Sequence, residues 1–324
     1  MPPHAPAGYR PGGRHLALVG PTASGKSALA LEVARRHPEV EIVTVDSMQV
    51  YRGMDVGTAK PTAAERAEVP HHLLDLVDPD EEYTVSRFKA DAYAVLADIE
   101  ARGRRGLLVG GTGLYLQAVV DDLQIPGRYP EIRSELDAET DTVSLHERLR
   151  ALDPLAAARM EPTNRRRVVR ALEVTLGAGR PFSSFGPGLE SYPPTPFPVV
   201  GLRLERPLLD ARIEHRYQTQ MADGFLEEVV ALTARPGGLS PTARQALGYA
   251  EILDHLEHGT PLDEALATAV TRTRRFARRQ QRWFRRDPRI EWLDLGPASH
   301  GGAGRIDPPD EENAVAALAS MLRD

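Results

Sequence analysis

The sequence predicts an α/β protein in which a parallel sheet of the P-loop type is flanked by helices and interrupted by a helical insertion domain. Short apolar runs that end in polar or glycine-rich turns are typical of buried parallel strands. Such runs lie at residues 15–20, 41–45, 106–109, 197–204 and 289–295. Residues 122–196 instead hold helical patterns broken by proline-containing loops, with no strong strand pattern, which indicates the insertion.

Length suggests two domains, since the chain has 324 residues and a domain typically takes about 150. We expect a P-loop core formed by residues 14–121 and 197–297, and a helical insertion formed by residues 122–196. The two ends, residues 1–13 and 298–324, are expected to be flexible or peripheral because both contain segments rich in glycine and proline.

Composition excludes several classes of protein. The chain has no cysteine, which rules out disulfides and cysteine-ligated zinc and fits a reducing compartment. It has no apolar run near the ~20 residues of a membrane helix and no secretory signal pattern. We therefore expect a cytoplasmic protein without a membrane partner, and we expect it to be a monomer.

Charge is distributed very unevenly along the chain. The formal net charge of −6 argues against a nonspecific binder of nucleic acid. Between Thr271 and Arg289, however, nine arginines stand against one acidic residue, Asp287. The pattern alone leaves two interpretations open, a track for a polyanion and a solvated basic helix.

A phosphate-binding loop is predicted at residues 20–27, where the sequence G-P-T-A-S-G-K-S matches G-x-x-x-x-G-K-[ST] between a strand and a helix. Backbone N–H groups of such a loop converge on an anion, Lys26 adds a positive charge, and the Ser27 hydroxyl is suited to ligate Mg²⁺. The motif does not say whose phosphates are bound. The candidate binding residues are Gly20, Pro21, Thr22, Ala23, Ser24, Gly25, Lys26 and Ser27.

Asp46 follows the second apolar run, so it is expected in the crevice at the carboxyl edge of the sheet, beside the phosphate loop. Three roles stay open from the residues alone. A kinase or nucleotide hydrolase would use this carboxylate as a magnesium ligand. A transferase would use it to accept a proton from the nucleophile, and a purely structural aspartate would cap the strand end.

The segment at residues 46–61, D-S-M-Q-V-Y-R-G-M-D-V-G-T-A-K-P, is more specific than the phosphate loop. Together with that loop and with G-G-T-G-L-Y at residues 110–115, it closely resembles the tRNA dimethylallyltransferase family, also called tRNA isopentenyltransferases. Further matches lie at residues 162–166, 170–173, 179–181, 244–249 and 273–280. Eukaryotic members often carry a cysteine-ligated zinc finger, so this cysteine-free chain is similar to the bacterial form.

The resemblance implies a reaction. The family transfers a dimethylallyl group from dimethylallyl diphosphate to N6 of adenosine 37 of tRNA, with Mg²⁺ and release of diphosphate. Under this resemblance the phosphate loop, with Lys26, holds and activates the donor diphosphate, and Arg212 looks like an arginine that helps to clamp it. Asp46 matches the general base. Thr112 matches a threonine beside the leaving diphosphate and the target base, although an ordinary helix N-cap stays open for it.

The resemblance also implies contacts with the anticodon stem-loop of tRNA, from which the target base must be flipped out of its stack. Ser47, Met48 and Gln49 match the segment that contacts the flipped nucleotide and its neighbours, and the arginine-rich run at 272–286 becomes a track for the RNA backbone. The residues expected to contact tRNA are Asp46, Ser47, Met48, Gln49, Thr112, Arg133, Arg166, Arg170 and Arg244.

Three other functions compete with this hypothesis. A small-molecule P-loop kinase would explain the core but not the insertion or the basic run. An adenylate isopentenyltransferase would share the chemistry but act on free nucleotides. A non-enzymatic RNA-binding protein is disfavoured because Lys26, Ser27 and Asp46 are all present.

Overall fold

A computed structural model describes residues 8–12, 15–296 and 308–323. The strands are β1 (Leu16–Val19), β2 (Val40–Val45), β3 (His71–His72), β4 (Arg105–Gly110), β5 (Val199–Leu204) and β6 (Ile290–Leu295). The helices are α1 (Lys26–Arg36), α2 (Ala63–Glu68), α3 (Val85–Ala101), α4 (Gly113–Val120), α5 (Pro130–Ala138), α6 (Thr142–Leu152), α7 (Pro154–Ala158), α8 (Arg165–Ala178), α9 (Arg206–Ala222), α10 (Phe225–Thr233), α11 (Pro241–Arg244), α12 (Tyr249–His258), α13 (Leu262–Phe284) and α14 (Pro308–Arg323).

The six strands form one parallel sheet in the order β3-β2-β4-β1-β5-β6. Every residue of β1 and β2 is buried, as expected for parallel strands that helices cover on both faces. The predicted fold class is therefore confirmed. The two-residue edge strand β3 was not predicted, because a pair of histidines carries no strand pattern; it pairs with β2 through Ile42 and Val43.

Two apolar cores lie on opposite faces of the sheet. One contains residues of α1 and α14 packed against β1, β2, β4 and β5. The other contains residues of α3, α4, α9, α10, α12 and α13. Alternate strand residues supply the two cores, as the pleat requires; Ala17 lies in the second core and Leu18 in the first.

The structure describes the two ends of the chain only in part. Residues 1–7, 13–14, 297–307 and 324 lie outside the described residues, but residues 308–323 form the helix α14. Its Ala314, Val315 and Leu318 are buried against the core beside α1. We expected this end to be flexible or peripheral; it contains an ordered helix, whose amphipathic spacing suits an apolar face that α1 leaves open. Near the other end, Tyr9 donates a hydrogen bond to Glu100 (2.7 Å).

The insertion is a compact helical unit of its own, formed by residues 121–193, with the rest of the chain forming the other unit. The sequence analysis placed its limits at 122 and 196. Helices α5, α6, α7 and α8 enclose a separate apolar core that includes Leu136, Leu149, Val168 and Leu172. Asn164 caps α8 by accepting a hydrogen bond from the Arg167 N–H (3.4 Å).

The segment at residues 46–61 is an irregular loop that residues distant in sequence hold in place. The Glu228 carboxylate on α10 accepts hydrogen bonds from the backbone N–H groups of Asp55 (2.8 Å), Val56 (2.7 Å) and Gly57 (3.1 Å). Tyr249 donates its hydroxyl hydrogen to the same carboxylate (2.6 Å). These bonds satisfy N–H groups that have no strand or helix partner, so the loop can be buried without a regular ladder.

We predict that Gly57→Ala destabilises the protein. A β-carbon at this position would lie 2.1 Å from a ring atom of Phe225 and 2.5 Å from one of Tyr249, and overpacking of this kind costs about 1–3 kcal/mol. Urea unfolding followed by circular dichroism measures the change. Gly127→Ala is the matched control, because its nearest neighbour would be an ordinary contact at 3.5 Å; equal unfolding midpoints for the two variants would contradict the prediction.

Candidate functional site

Three turns meet at the carboxyl edge of the sheet. Strand β4 lies between β1 and β2, so the phosphate loop after β1, Asp46 after β2 and Thr112 after β4 share one crevice. The residues alone predicted the first two of these turns, and the family resemblance indicated the third. The structure brings them together because all three strands are parallel and end at the same edge.

The phosphate loop has the backbone conformation of an anion-binding turn. Ala23 and Gly25 have positive φ angles, 62° and 93°, and helix α1 begins at Lys26 directly after them. The N-terminus of α1 therefore faces the loop with its unpaired N–H groups. Ser24 is fully buried, and its hydroxyl has no hydrogen-bond partner among the described residues. A side chain at Gly20 would place its β-carbon 2.9 Å from that hydroxyl oxygen.

Three cations surround this loop. Lys26 donates a hydrogen bond to the Pro21 carbonyl (3.2 Å), Arg212 donates from Nε to the Ala23 carbonyl (2.8 Å), and Arg216 donates to the Thr22 hydroxyl (3.0 Å). Three positive charges that are partly shielded from water in this way favour an anion with more than one charge.

Burial affects the ionisation of all three. Desolvation lowers the pKa of Lys26 to about 8, although the nearby Asp46 carboxylate acts in the opposite direction. Burial also lowers the pKa of Arg212 and of Arg216. A bound diphosphate would restore the stabilisation that these cations lose when they leave water, because charge-assisted hydrogen bonds favour the protonated forms.

Asp46 lies at the mouth of the crevice, half-buried, and forms a tight turn. Its Oδ1 accepts hydrogen bonds from the backbone N–H groups of Met48 (2.8 Å) and Gln49 (3.4 Å). Within the part of the chain that the structure describes, Oδ2 accepts none. One oxygen therefore shapes the turn while the other is available to a substrate, so the structural and the chemical roles are compatible.

Thr112 directly precedes α4 and connects two of the turns. Its hydroxyl oxygen accepts a hydrogen bond from the backbone N–H of Ser47 (3.2 Å), which ties the end of β4 to the Asp46 turn. Met48 is partly buried against the apolar core. The Gln49 side chain is buried and donates to the carbonyls of Thr58 (3.0 Å) and Ala59 (3.2 Å), so this amide holds the 46–61 loop.

The crevice is compatible with Mg²⁺. No cluster of three or more His, Cys, Asp or Glu side chains suited to a metal occurs among residues 8–12, 15–296 and 308–323. Mg²⁺ does not need such a cluster, because it usually keeps several waters and binds through one or two protein oxygens together with substrate phosphates. The exposed Ser27 hydroxyl in the first turn of α1 is an oxygen donor of this type.

The arginines predicted to contact tRNA occupy different environments. Arg133 and Arg170 form ion pairs within the insertion, with Asp137 (2.7 Å) and Glu173 (2.7 Å) respectively. Arg166 is exposed at the first turn of α8. In the other unit, Arg244 pairs with Glu257 (2.5 Å).

Helix α13 separates its charges from its apolar side chains. Arg272, Arg275, Arg279 and Arg282 are exposed, and their spacing of three and four residues places them on one face, which we call the arginine stripe. Thr273, Ala277, Gln280 and Phe284 are buried on the opposite face. The structure therefore supports a stripe of positive charge along a helix whose buried face packs on the core.

Sequence reasoning missed two residues that contact the phosphate loop, Arg216 and Gln280. Arg216 lies four residues after Arg212 on α9, so the two guanidinium groups share a helix face; that spacing was available as a signal. Gln280 donates to the Gly111 carbonyl and accepts from the Thr22 N–H, both at 2.9 Å. Gln280 ends the matched segment 273–280, but its partners are distant in sequence, so the segment did not indicate what this side chain contacts.

The fold and the site define a P-loop protein in which an aspartate and a threonine lie beside the phosphate loop. Comparisons with known proteins specify the family. The family model described as "IPP transferase" matches residues 49–287, and the one described as "Isopentenyl transferase" matches residues 14–75. The chain belongs to the IPP transferase family.

Similar proteins of known name and similar solved structures indicate the same family. The chain is 46% identical over 314 residues to the tRNA dimethylallyltransferase of Bifidobacterium longum, covering 92% of this chain and 94% of that protein. It is 51% identical over 294 residues to that of Kineococcus radiotolerans, covering 88% and 91%. The structure of the tRNA isopentenylpyrophosphate transferase from Bacillus halodurans superposes with a TM-score of 0.67 at 36% identity, covering 95% and 96%.

A eukaryotic dimethylallyltransferase acting on tRNA gives a TM-score of 0.72 at 27% identity, covering 86% of this chain and 73% of that one. In the described part of the chain, no helix combines the length and the hydropathy that a membrane span requires.

We predict that donor affinity falls as pH rises above about 8. Lys26 titrates near 8 in the free protein, and a bound diphosphate favours its protonated form, so the Kd should be constant below that pH and rise up to about tenfold per unit above it. Terminal phosphates ionise near pH 6, so the donor itself does not cause this change.

Calorimetric titration of a non-reactive donor analogue from about pH 7 to about pH 10 measures the dependence. Lys26→Arg is the control, because arginine stays protonated throughout this range and should give a flat profile. A constant Kd for the unaltered protein up to the highest pH would contradict the assignment of Lys26 to the donor site.

Proposed function

We propose that this protein transfers the dimethylallyl group of dimethylallyl diphosphate to N6 of adenosine 37 of tRNA, with release of diphosphate. The observation that carries the proposal is the arrangement of one crevice, in which Lys26, Arg212 and Arg216 surround the phosphate loop while Asp46 and Thr112 face it from the next strands. The relatives named tRNA dimethylallyltransferase support it.

The donor half of the site stabilises the leaving group. When the bond between C1 of the dimethylallyl group and the diphosphate oxygen breaks, its electron pair leaves with the diphosphate, which gains negative charge. Lys26, Arg212 and Arg216 lie at the phosphate loop, and the N-terminus of α1 follows it, so positive charge is already in place when the negative charge develops. Mg²⁺ held by the Ser27 hydroxyl would supply further positive charge to the diphosphate oxygens.

The acceptor half supplies a base. The N6 nitrogen forms a bond to C1 with its lone pair and becomes more acidic as it does so. A carboxylate oxygen of Asp46 then accepts one N6 proton, which leaves a neutral secondary amine. The Thr112 hydroxyl lies next to the Asp46 turn, because it accepts a hydrogen bond from the Ser47 N–H.

The alternatives account for less of the molecule. A kinase would use the loop to bind a nucleoside triphosphate. It would not account for the match to the IPP transferase family, which covers residues 49–287, outside the loop. An enzyme acting on free nucleotides would not need the arginine stripe. A non-enzymatic RNA-binding protein would have no use for desolvated cations beside the aspartate.

The RNA would be held mainly through its backbone phosphates. The arginine stripe offers exposed guanidinium groups at helical spacing, and Arg166 and Arg167 are exposed in the insertion. Contacts of this type position a nucleic acid without reading its sequence. The proposal includes extrusion of adenosine 37 into the crevice and action as a monomer in the cytoplasm.

Incubation with isotopically labelled dimethylallyl diphosphate and Mg²⁺ tests the function directly. The acceptor is either unmodified tRNA or a mixture of AMP, ADP and ATP. We expect label in tRNA, at a nucleoside whose mass and chromatographic behaviour match N6-dimethylallyladenosine. Label in the free nucleotides but not in tRNA would assign the protein to the adenylate enzymes instead.

We predict that Asp46→Asn lowers turnover by a factor of about 10² to 10⁴, the usual contribution of a general base. The asparagine oxygen still accepts from the Met48 N–H, so donor and tRNA binding should change little. Single-turnover transfer with both substrates saturating measures the effect. Asp98→Asn, at an exposed position on α3, is the control, and a decrease of only a few-fold in Asp46→Asn would show that Asp46 is not the base.

We predict that Arg279→Ala weakens tRNA binding and makes it less dependent on salt. Each phosphate contact adds about 0.7–0.9 to the slope of log affinity against log salt concentration, so losing one contact should reduce the slope by about that amount. Filter binding at several salt concentrations provides the measurement. Arg203→Ala removes an exposed arginine that pairs with Asp294 on the sheet; the same loss of slope in both variants would exclude a specific role for the stripe.

A further inference from the structure

Gln280 is a polar residue on the buried face of the most basic helix. It is 7% exposed and lies between Ala277 and Phe284 on the face of α13 that packs on the core. A buried amide costs free energy unless its hydrogen-bonding groups find partners. An apolar side chain of similar size would suit the surrounding face equally well, so the partners of Gln280 indicate what the amide does.

Both ends of the amide bind functional turns. The Oε1 oxygen accepts a hydrogen bond from the Thr22 N–H in the phosphate loop (2.9 Å). The Nε2 group donates to the carbonyl of Gly111 (2.9 Å), the residue before Thr112. These two bonds fix the orientation of the amide, because only its oxygen can accept and only its nitrogen can donate. One side chain thus connects the turn after β1 with the turn after β4.

Close packing reinforces this connection. A β-carbon on Gly111 would lie 2.3 Å from the Gln280 Nε2 atom, and one on Gly113 would lie 2.3 Å from the indole ring of Trp283. Helix α13 therefore rests directly on the backbone on both sides of Thr112. Two glycines permit that approach, and Gln280 and Trp283 supply the atoms that make it.

We propose that Gln280 is a positioning residue that sets the spacing between the diphosphate site and the acceptor turn, and hence between C1 of the donor and the attacking N6 atom. The inference rests on the proposed function. Bond formation needs the reacting atoms about 3–3.5 Å apart and aligned, and a displacement of about 1 Å can cost two orders of magnitude in rate. A single amide that spans both turns controls this separation directly.

A positioning role predicts a change that a purely structural role would not. If the two turns separate, the allylic carbon is still activated by the phosphate loop but N6 is misplaced. Water then attacks C1, the C1–O bond breaks, and the products are a five-carbon allylic alcohol, diphosphate and a proton. The ratio of alcohol to prenylated RNA reports this partition, and it counts only folded, active molecules.

The test compares Gln280→Met with Gln281→Met, the same substitution one residue further along α13. Labelled donor and saturating tRNA are supplied, and alcohol and RNA product are quantified after a single turnover. For Gln280→Met we expect transfer to fall about 10-fold to 100-fold and the fraction of alcohol to rise, with tRNA affinity within about twofold. Gln281→Met should match the unaltered protein in all three.

Gln280→Glu provides a second variant of nearly equal size. It keeps an acceptor for the Thr22 N–H but has no donor for the Gly111 carbonyl, and it should also divert donor to the alcohol. An unchanged ratio of alcohol to RNA product in both Gln280 variants would overturn the proposal, as would the loss of both products in both variants, which would show a structural role alone. Failure of the unaltered protein to label tRNA would instead reject the proposed function.

Discussion

The site depends on the partial burial of three positive charges at one edge of a parallel sheet. Lys26, Arg212 and Arg216 reach the same loop from two helices, and burial lowers the pKa of each. Partly buried cations favour the binding of an anion with several charges, because the anion replaces the hydration that the cations have lost. The remaining functional groups lie around the phosphate loop and its three cations.

The parallel sheet makes the arrangement possible. Since β1, β4 and β2 are adjacent and run in one direction, three successive turns face one crevice, and each contributes a different chemical group. Side chains of α9, α10 and α13 hold these turns and the 46–61 loop in place. Arg212 binds the Ala23 carbonyl, Glu228 binds the 55–57 backbone, and Gln280 spans the turns after β1 and β4.

Helix α13 carries exposed arginines on one face and buried residues on the other, so its two faces can serve different functions. Its arginine stripe is exposed, while Gln280 and Phe284 on the opposite face pack within the core unit. The outer face of this helix carries cations and its inner face touches the phosphate loop, so under the proposed function one helix would connect the RNA with the donor site. This is consistent with a protein that must align a large polyanion with a small one.

Much of the fold could be predicted because its signals are local. The apolar runs of β1, β2 and β4 and the phosphate loop are contiguous in sequence, and Asp46 and Thr112 follow their strands directly. The rest depends on contacts between distant residues. Gln280 contacts residues 258 and 169 positions away, and β3 exists only through pairing with β2. The amphipathic spacing of α14 indicates a helix, but not that this helix packs beside α1.

The central claim is that residues 20–27 bind the diphosphate of the prenyl donor, which is the leaving group, and not a nucleoside triphosphate that is hydrolysed. It is tested most directly by measuring diphosphate release and prenyl incorporation into tRNA in the same reaction, without any nucleoside triphosphate. The account predicts that each prenyl group transferred to RNA is matched by one diphosphate, and that added ATP is not consumed. A requirement for ATP, or release of inorganic phosphate from it in step with turnover, would contradict the account.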